Sequence, residues 1–253
     1  GENVWEMLFE SVMPDERVVY KASEGDILQV LIAGTDQEVD WIEIHPDQTK
    51  ARQLLGLDLL DQVVAVLPGS RKSEIDLIGP IFLQAVALLH KSRPHLKFIL
   101  PCAPGRRQAI ELQLQALQLE GVVQLLEGQS HTALAAANAV MVASGTATLE
   151  AALFKCPMVI AYKLGAISYW LMKRMKLQPW VGLPNILSQD FIVPELIQDQ
   201  ATASAVANEI EKWLDNPDAV RQLKDKLLHL HQSLQQETSS LVIEAVKQVL
   251  KTT

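Results

Sequence analysis

Gln62-Val-Val-Ala-Val-Leu67 is a short, continuously apolar run that ends at Pro68-Gly69 and is followed by Ser70-Arg71-Lys72-Ser73. The run predicts a strand buried on both faces, and the Pro-Gly pair predicts a turn. From Ser73, a favourable N-cap residue, residues 73–92 have the apolar spacing of a helix. A buried strand that leads through a tight turn into a helix is typical of a βαβ unit.

The same alternation of apolar strand and helix continues to residue 161. Further strands are predicted at Lys97–Leu100, Val122–Leu126, Ala139–Ala143 and Met158–Ala161, and further helices near 104–120, 131–137 and 146–154. Five such strands joined by helices predict an α/β fold with a doubly wound parallel sheet. After residue 194 the pattern predicts helices only, with a break at Asp215-Asn-Pro217 and a final amphipathic helix near 240–251.

Charge is distributed unevenly along the 253 residues. The net charge is −8, yet residues 1–60 hold 13 Asp or Glu against 4 Lys or Arg, and the remainder is close to neutral. Such an acidic chain argues against general nucleic-acid binding, which requires a basic surface. The charge shift and the strand pattern predict an unassigned acidic segment at 1–41, an α/β domain at 42–193 and C-terminal helices at 194–253.

Composition limits the class of protein further. A hydrophobic fraction of 49% argues against a disordered or fibrous chain. Cys102 and Cys156 form neither a disulfide framework nor a metal-ligand spacing, and they are expected to be buried thiols in a reducing compartment. The six histidines form no metal pattern, and no apolar run is long enough to predict a membrane-spanning helix.

The first candidate site is the turn Leu67-Pro-Gly-Ser-Arg-Lys-Ser-Glu74. Gly69 would allow an anion to approach the backbone, and helix N-terminal amides with Arg71 would supply donors and positive charge for a phosphate. An ordinary strand-to-helix turn with a solvated arginine explains the stretch equally well. The spacing matches neither a P-loop nor a dinucleotide fingerprint.

The second candidate site is Ala143-Ser-Gly-Thr-Ala-Thr-Leu-Glu150, again a strand end that leads into a helix. Its small residues leave the first helical turn bare, so backbone N–H groups can face a diphosphate. Glu150 lies about one helical turn further on and could accept hydrogen bonds from ribose hydroxyls. The alternative is a tight turn in which Thr148 is packed and Glu150 is a first-turn acid that the helix dipole favours.

Two further stretches are ambiguous. Asn185, in the predicted loop Gly182-Leu-Pro-Asn-Ile-Leu187, could bind a sugar or a phosphate, or could bond to its own backbone. Residues 162–180 contain bases interleaved with apolar side chains and no acid. They could contact an acyl substrate or a membrane through Trp170, Lys173, Arg174 and Lys176, or form a core helix whose bases extend to solvent.

These motifs, in this order, resemble the lipid-A-disaccharide synthase family over residues 42–250. The matching pieces are Leu67–Arg71, Ser73-Glu74, Ala143–Glu150, Cys156-Pro-Met-Val, Tyr169–Arg174, Leu183–Leu187 and Leu230-His-Gln232. The resemblance implies one Rossmann-like half of a two-domain glycosyltransferase B-type fold, at the cytoplasmic face of the inner membrane of a Gram-negative bacterium. It implies an inverting enzyme that needs no metal or cofactor and joins UDP-2,3-diacylglucosamine to 2,3-diacylglucosamine 1-phosphate.

The resemblance also implies roles for particular residues. Arg71 and Asn185 would be essential for catalysis. The donor nucleotide would contact the turns and the helix start that carry Gly69, Ser70, Arg71, Ser144, Gly145, Thr146 and Glu150. The loop at Gly128, Gln129 and Ser130 would lie near the uracil.

The segment before Leu67 departs from the family pattern. The family has a whole N-terminal domain there, with an acceptor-side catalytic aspartate, whereas about 60 residues precede the motif here. Residues 1–41 are therefore interpreted as a truncation, a replacement or joined fragments, and these residues alone are expected to bind UDP without turnover. A UDP-sugar epimerase and a non-catalytic UDP-binding fragment remain alternatives. The last helix carries an apolar stripe, Val242, Ile243, Val246 and Leu250, which predicts packing on another domain or on a second copy of the chain as a homodimer.

Overall fold

The computed structural model describes residues 46–163 and 179–234. The strands in these residues are β1 (Val63–Leu67), β2 (Lys97–Cys102), β3 (Val123–Glu127), β4 (Ala139–Ala143), β5 (Met158–Tyr162) and β6 (Glu195–Ile197). The helices are α1 (Gln48–Leu55), α2 (Lys72–Leu77), α3 (Gly79–Ser92), α4 (Arg107–Ala116), α5 (Ser130–Ala136), α6 (Thr146–Leu153), α7 (Leu183–Ser188), α8 (Ala203–Asp215) and α9 (Pro217–Leu234).

These strands form one parallel sheet in the order β3-β2-β1-β4-β5-β6. The chain first moves outward from β1 to β3, then returns to the far side of β1 and continues outward to β6. Every residue of β1 and of β4 is buried, because helices cover both faces of the sheet. The predicted doubly wound parallel sheet is confirmed.

Two hydrophobic clusters, one on each face, hold the helices to the sheet. Successive side chains of a strand point to opposite faces, so Val64 belongs to one cluster and Val63 to the other. The first cluster contains Phe82 of α3 and Ile210 of α8, and the second contains Leu227 of α9. Helix α9 therefore packs on the face of the sheet opposite α3 and α8.

The two cysteines lie in different clusters, Cys102 in the first and Cys156 in the second. Both are free and buried, as expected from the sequence. Burial raises the pKa of the Cys102 thiol to about 11 and that of Cys156 to about 12.

The structure corrects two predictions of secondary structure. Residues after 194 are not exclusively helical, because Glu195–Ile197 pairs in parallel with β5 as a sixth strand. The predicted helix at 73–92 is two helices with Ile78 between them, and the first begins at Lys72 rather than being capped by Ser73. The cap is Arg71, and the Glu74 carboxylate accepts hydrogen bonds from the preceding backbone.

Several predictions lie outside the described residues. They are those for residues 1–41, for the helix near 240–251 and for the lipid-contact residues Trp170, Lys173, Arg174 and Lys176. Within 46–163 and 179–234, no helix is both long and apolar enough to cross a membrane.

Candidate nucleotide-binding site

The two candidate turns follow adjacent strands at the point where the strand order reverses. Leu67, at the end of β1, is in register with Val142 near the end of β4. The connections from these two strands run to opposite sides, which opens a crevice between the carboxyl ends of β1 and β4. The structure therefore brings together the turns at Gly69 and Gly145, as the sequence predicts.

The turn after β1 is held from within by Glu74. The Glu74 carboxylate accepts hydrogen bonds from the backbone N–H of Ser70 at 2.9 Å and of Arg71 at 3.2 Å. Gly69 has a φ of +106°, and a Cβ added there would lie 2.1 Å from Oε2 of Glu74. These two amides are thus already bonded within the turn.

What this turn offers a ligand is the Arg71 side chain, which is 49% exposed. Its Nη1 lies 3.4 Å from Oε1 of Glu74, so the pairing is loose. Burial raises the pKa of Tyr162, with a further upward contribution from Glu74 and an opposing one from Arg71. Tyr162 is the last residue of β5.

The turn after β4 is open. Gly145 has a φ of +141°, and a Cβ added there would meet no atom within 4 Å. Within the described part of the chain, the backbone N–H groups of Gly145, Thr146 and Ala147 have no hydrogen-bond partner. Three such amides at the start of α6, where the helix dipole is positive, can bind a phosphate.

The Thr148 side chain stabilises this turn through two hydrogen bonds. Its buried hydroxyl donates to the carbonyl oxygen of Gly145 at 2.7 Å and accepts from the backbone N–H of Leu183 at 3.3 Å. The predicted alternative, in which Thr148 is packed rather than ligand-facing, is therefore confirmed for this residue. Its contacts connect the open turn to the start of α7.

Glu150 contacts the helix that follows the loop at 128–130. Gly128 and Gln129 both have positive φ, of 63° and 59°, and this tight reversal leads directly into α5. His131, in the first turn of α5, places Nε2 3.5 Å from Oε2 of Glu150. The contact with Glu150 holds the pKa of His131 above its usual range. The predicted uracil-side loop and ribose-side carboxylate are thus neighbours.

Replacing Glu150 with glutamine is expected to lower the pKa of His131, because a neutral amide stabilises the imidazolium less than a carboxylate does. Since folding raises this pKa, the pair contributes fully to stability below the unfolded-state value of about 6.5. That contribution is lost as the pH rises through the folded-state pKa. NMR titration of His131 measures the change, with Glu120→Gln at an exposed position as the control. An unchanged pKa in Glu150→Gln would contradict the contact.

The prediction that Asn185 lies in a loop is wrong. The residue lies in helix α7, where it is fully buried. Its Nδ2 donates to the carbonyl oxygen of Val193 at 2.9 Å and to Oε1 of Glu195 at 2.8 Å. Its Oδ1 accepts from the backbone N–H of Ile192 at 2.9 Å and of Val193 at 3.0 Å. All four hydrogen-bonding positions of the amide are filled, which favours the alternative that Asn185 bonds to its own surroundings.

Glu195 extends this network to the segment before α7. Its carboxylate accepts from the backbone N–H of Val181 at 2.9 Å and of Gly182 at 2.8 Å, in addition to the Asn185 amide. The network therefore connects β6 to the start of α7. The role of Glu195 has no signal in the sequence, because strand β6 itself could not be predicted from its three residues.

Arg106 is a second residue that the sequence analysis missed. It lies in the turn after β2, and its Nε donates to the carbonyl oxygen of Ser70 at 3.0 Å. The turn after β2 is therefore joined to the turn after β1. Among residues 46–163 and 179–234, no group of three or more His, Cys, Asp or Glu side chains could hold a metal ion.

Comparison with known proteins gives a consistent family. The chain matches the model of a family described as lipid-A-disaccharide synthetase over residues 12–249. The lipid-A-disaccharide synthase of Albidiferax ferrireducens is 51% identical over 214 residues, which are 83% of this chain and 55% of that protein. The synthase of Verminephrobacter eiseniae is 48% identical over 213 residues, with coverage of 83% and 55%. The chain spans about half the length of these curated relatives.

A solved structure supports the fold independently. A glycosyltransferase from Rickettsia africae ESF-5 is similar with a TM-score of 0.58 at 12% sequence identity, covering 85% of this chain and 55% of that one. A likeness at this identity concerns the fold alone. It agrees with the predicted Rossmann-like half of a glycosyltransferase.

Proposed function

Because this chain belongs to the lipid-A-disaccharide synthetase family, we propose that it serves in the transfer of a glucosamine unit from a UDP-linked donor. The donor would be UDP-2,3-diacylglucosamine and the acceptor 2,3-diacylglucosamine 1-phosphate, with UDP released and a β-1,6 disaccharide formed. Residues 46–163 and 179–234 would bind the UDP part of the donor. Family membership favours this transferase over the alternative of a UDP-sugar epimerase.

One observation carries the proposal: two turns that can receive a phosphate face each other across the crevice between β1 and β4. The turn after β4 offers three backbone N–H groups without a partner, and the turn after β1 offers the Arg71 guanidinium. Glu150 lies one helical turn beyond the open amides, where ribose hydroxyls can reach its carboxylate. A nucleoside diphosphate has the charge and the length to contact all three.

The chemistry that these residues can supply is stabilisation of the leaving group. In an inverting transfer, the acceptor hydroxyl attacks the anomeric carbon as the bond to UDP breaks, and negative charge develops on the diphosphate. Amides and a guanidinium that are already in position stabilise this charge without reorganisation. The proposal assigns only this donor side to the described residues. Asn185 is proposed as a positioning residue that orders α7 rather than as a group that touches the substrate.

Arg71→Ala is expected to weaken UDP binding by about 1.5–3 kcal/mol, the range for a hydrogen bond to a charged group. This loss corresponds to an affinity about 10- to 150-fold lower in calorimetric titration. Arg221→Ala is a suitable control, because Arg221 is 75% exposed and pairs with Asp218 on α9. Parental affinity in the Arg71 variant would refute the assignment of Arg71 to the phosphates. Absence of UDP binding in the parent would refute the proposed function.

We further propose that the chain meets its acylated substrates at the cytoplasmic surface of the inner membrane, without a cofactor. The support is the acid-free segment with Lys163, Lys173, Arg174 and Lys176 around Trp170. Bases near anionic lipid contribute about 1 kcal/mol each, enough for reversible attachment. Changing the last three bases to serine should release the protein from anionic vesicles. Binding that survives this change would place the lipid contact elsewhere.

Pairing of two chains through residues 240–251 is a further proposal, which sedimentation at high concentration tests.

A further inference from the structure

The turn after β1 contributes little net positive charge to the proposed diphosphate site. Arg71 lies beside Glu74, with 3.4 Å between Nη1 and Oε1. Lys72 pairs with Asp76, with 2.5 Å between Nζ and Oδ2. The two bases of this turn and of α2 are therefore balanced by two acids. A diphosphate carries at least two negative charges, so a further cation without a carboxylate partner beside this turn would strengthen its binding.

Arg106 is a candidate for this cation because it contacts the turn directly. Its Nε is bonded to the carbonyl oxygen of Ser70 at 3.0 Å, which fixes the guanidinium against the β1 turn although the two residues are 36 positions apart. Within the described part of the chain, no carboxylate pairs with Arg106. Its two terminal nitrogens are thus left with donors to offer.

The neighbouring Arg107 differs from Arg106 because it is paired with carboxylates of the protein itself. Its Nε lies 2.7 Å from Oε1 of Glu111, and its Nη1 lies 2.6 Å from Oε1 of Glu127. Two carboxylates therefore neutralise its charge. Arg106 has no such neutralisation and contacts the turn proposed to bind phosphate. The two adjacent arginines therefore differ in environment although they share a side chain.

We propose that Arg106 is the second phosphate-binding cation of the donor site. This inference rests on the proposed function. Nε holds the carbonyl of Ser70, and the two terminal nitrogens donate to phosphate oxygens of a bound nucleoside diphosphate. A guanidinium suits this double task because its donors are planar and fixed relative to one another, whereas a lysine offers a single ammonium. Arg71 and Arg106 then approach the diphosphate together.

Calorimetric titration of the full chain with UDP tests the proposal. Arg106→Gln, which keeps a neutral donor for Ser70 but removes the charge, is expected to lower the affinity at least about tenfold. Arg106→Lys, which keeps the charge, is expected to recover much of that loss. Arg107→Gln is the matched control and should stay within about twofold of the parent. Competition with uridine, which has no phosphate, should be unchanged in all variants.

Two outcomes would overturn the inference. Parental affinity in Arg106→Gln would show that the residue does not contact the nucleotide. Equal affinity in Arg106→Lys and Arg106→Gln would show that the charge is irrelevant and that Arg106 acts only through Ser70. A different result tests the proposed function itself. A parent that binds no UDP refutes that function. UDP binding that is lost in Arg71→Ala but kept in Arg106→Gln refutes only the role of Arg106.

Discussion

Replacing Asn185 with leucine is expected to lower the free energy of unfolding by about 3–5 kcal/mol. The side chain is fully buried and makes four hydrogen bonds, all to groups between Ile192 and Glu195. Leucine has the same branched shape but bulkier methyl groups and no donor or acceptor, so two backbone amides, one carbonyl and one carboxylate would lose a partner. Each unsatisfied buried group costs about 1–3 kcal/mol. Denaturant unfolding measures the loss.

Asn216→Ala is a matched control for this experiment. Asn216 is exposed between α8 and α9, and its Oδ1 accepts a single hydrogen bond from the backbone N–H of Ala219. Loss of such a cap costs about 1 kcal/mol. If Asn185→Leu were no more destabilising than Asn216→Ala, the network would not have the structural importance assigned to it. A stable Asn185 variant that binds UDP but has lost transfer activity would instead favour the direct catalytic role that the family resemblance implies.

Gly69→Ala is expected to disrupt the turn after β1 and to lower both stability and UDP affinity. A methyl group at this position would lie 2.1 Å from Oε2 of Glu74, so the carboxylate could no longer bind the amides of Ser70 and Arg71. The φ of +106° adds backbone strain of about 1–2 kcal/mol for any residue with a Cβ. Together these effects should cost about 2–4 kcal/mol of stability.

Gly105→Ala separates the two causes. Gly105 has a φ of +71°, but a Cβ there would meet no atom within 4 Å. This control therefore carries the backbone strain without the steric overlap. The double variant Gly69→Ala, Glu74→Ala removes the overlap with the carboxylate but keeps the overlap with Cβ of residue 74, which would lie 2.6 Å from the added Cβ. The coupling between the two changes should therefore be favourable but partial. Equal destabilisation by Gly69→Ala and Gly105→Ala would mean that Glu74 moves aside at no cost.

The sheet could be predicted because its strands are buried on both faces and therefore appear as continuous apolar runs. The predicted run Ala139–Ala143 has the same bounds as β4, and its burial is complete. Strand β6 was missed for the opposite reason. It has only three residues, all half-buried, and one of them is the polar Glu195. Such a strand exists because β5 offers it a partner, and local sequence contains no signal of that pairing.

The parts of the site that could be predicted depend on local sequence, and the parts that could not depend on contacts between distant residues. Both turns could be predicted, because a glycine after an apolar strand is visible in the sequence. The Glu74 carboxylate binds the Ser70 and Arg71 amides within the turn, a local contact that the residue spacing alone does not predict. The contact of Arg106 with Ser70 and the burial of Asn185 depend on the tertiary fold, so the alternatives for Asn185 stayed open until its four contacts were known.

Because the two cysteines are buried on opposite faces of the sheet, the rate at which each thiol is alkylated reports on opening of its own face. Only thiolates react readily with alkylating reagents, and thiols with pKa values of about 11 and 12 are almost entirely protonated at neutral pH. Modification must then await local or global opening of the packing around each sulfur. The labelling rate of Cys102 reports on the face covered by α3, and that of Cys156 on the face covered by α9. Without any engineered label, the two rates distinguish loosening of one helical layer from unfolding of the whole domain.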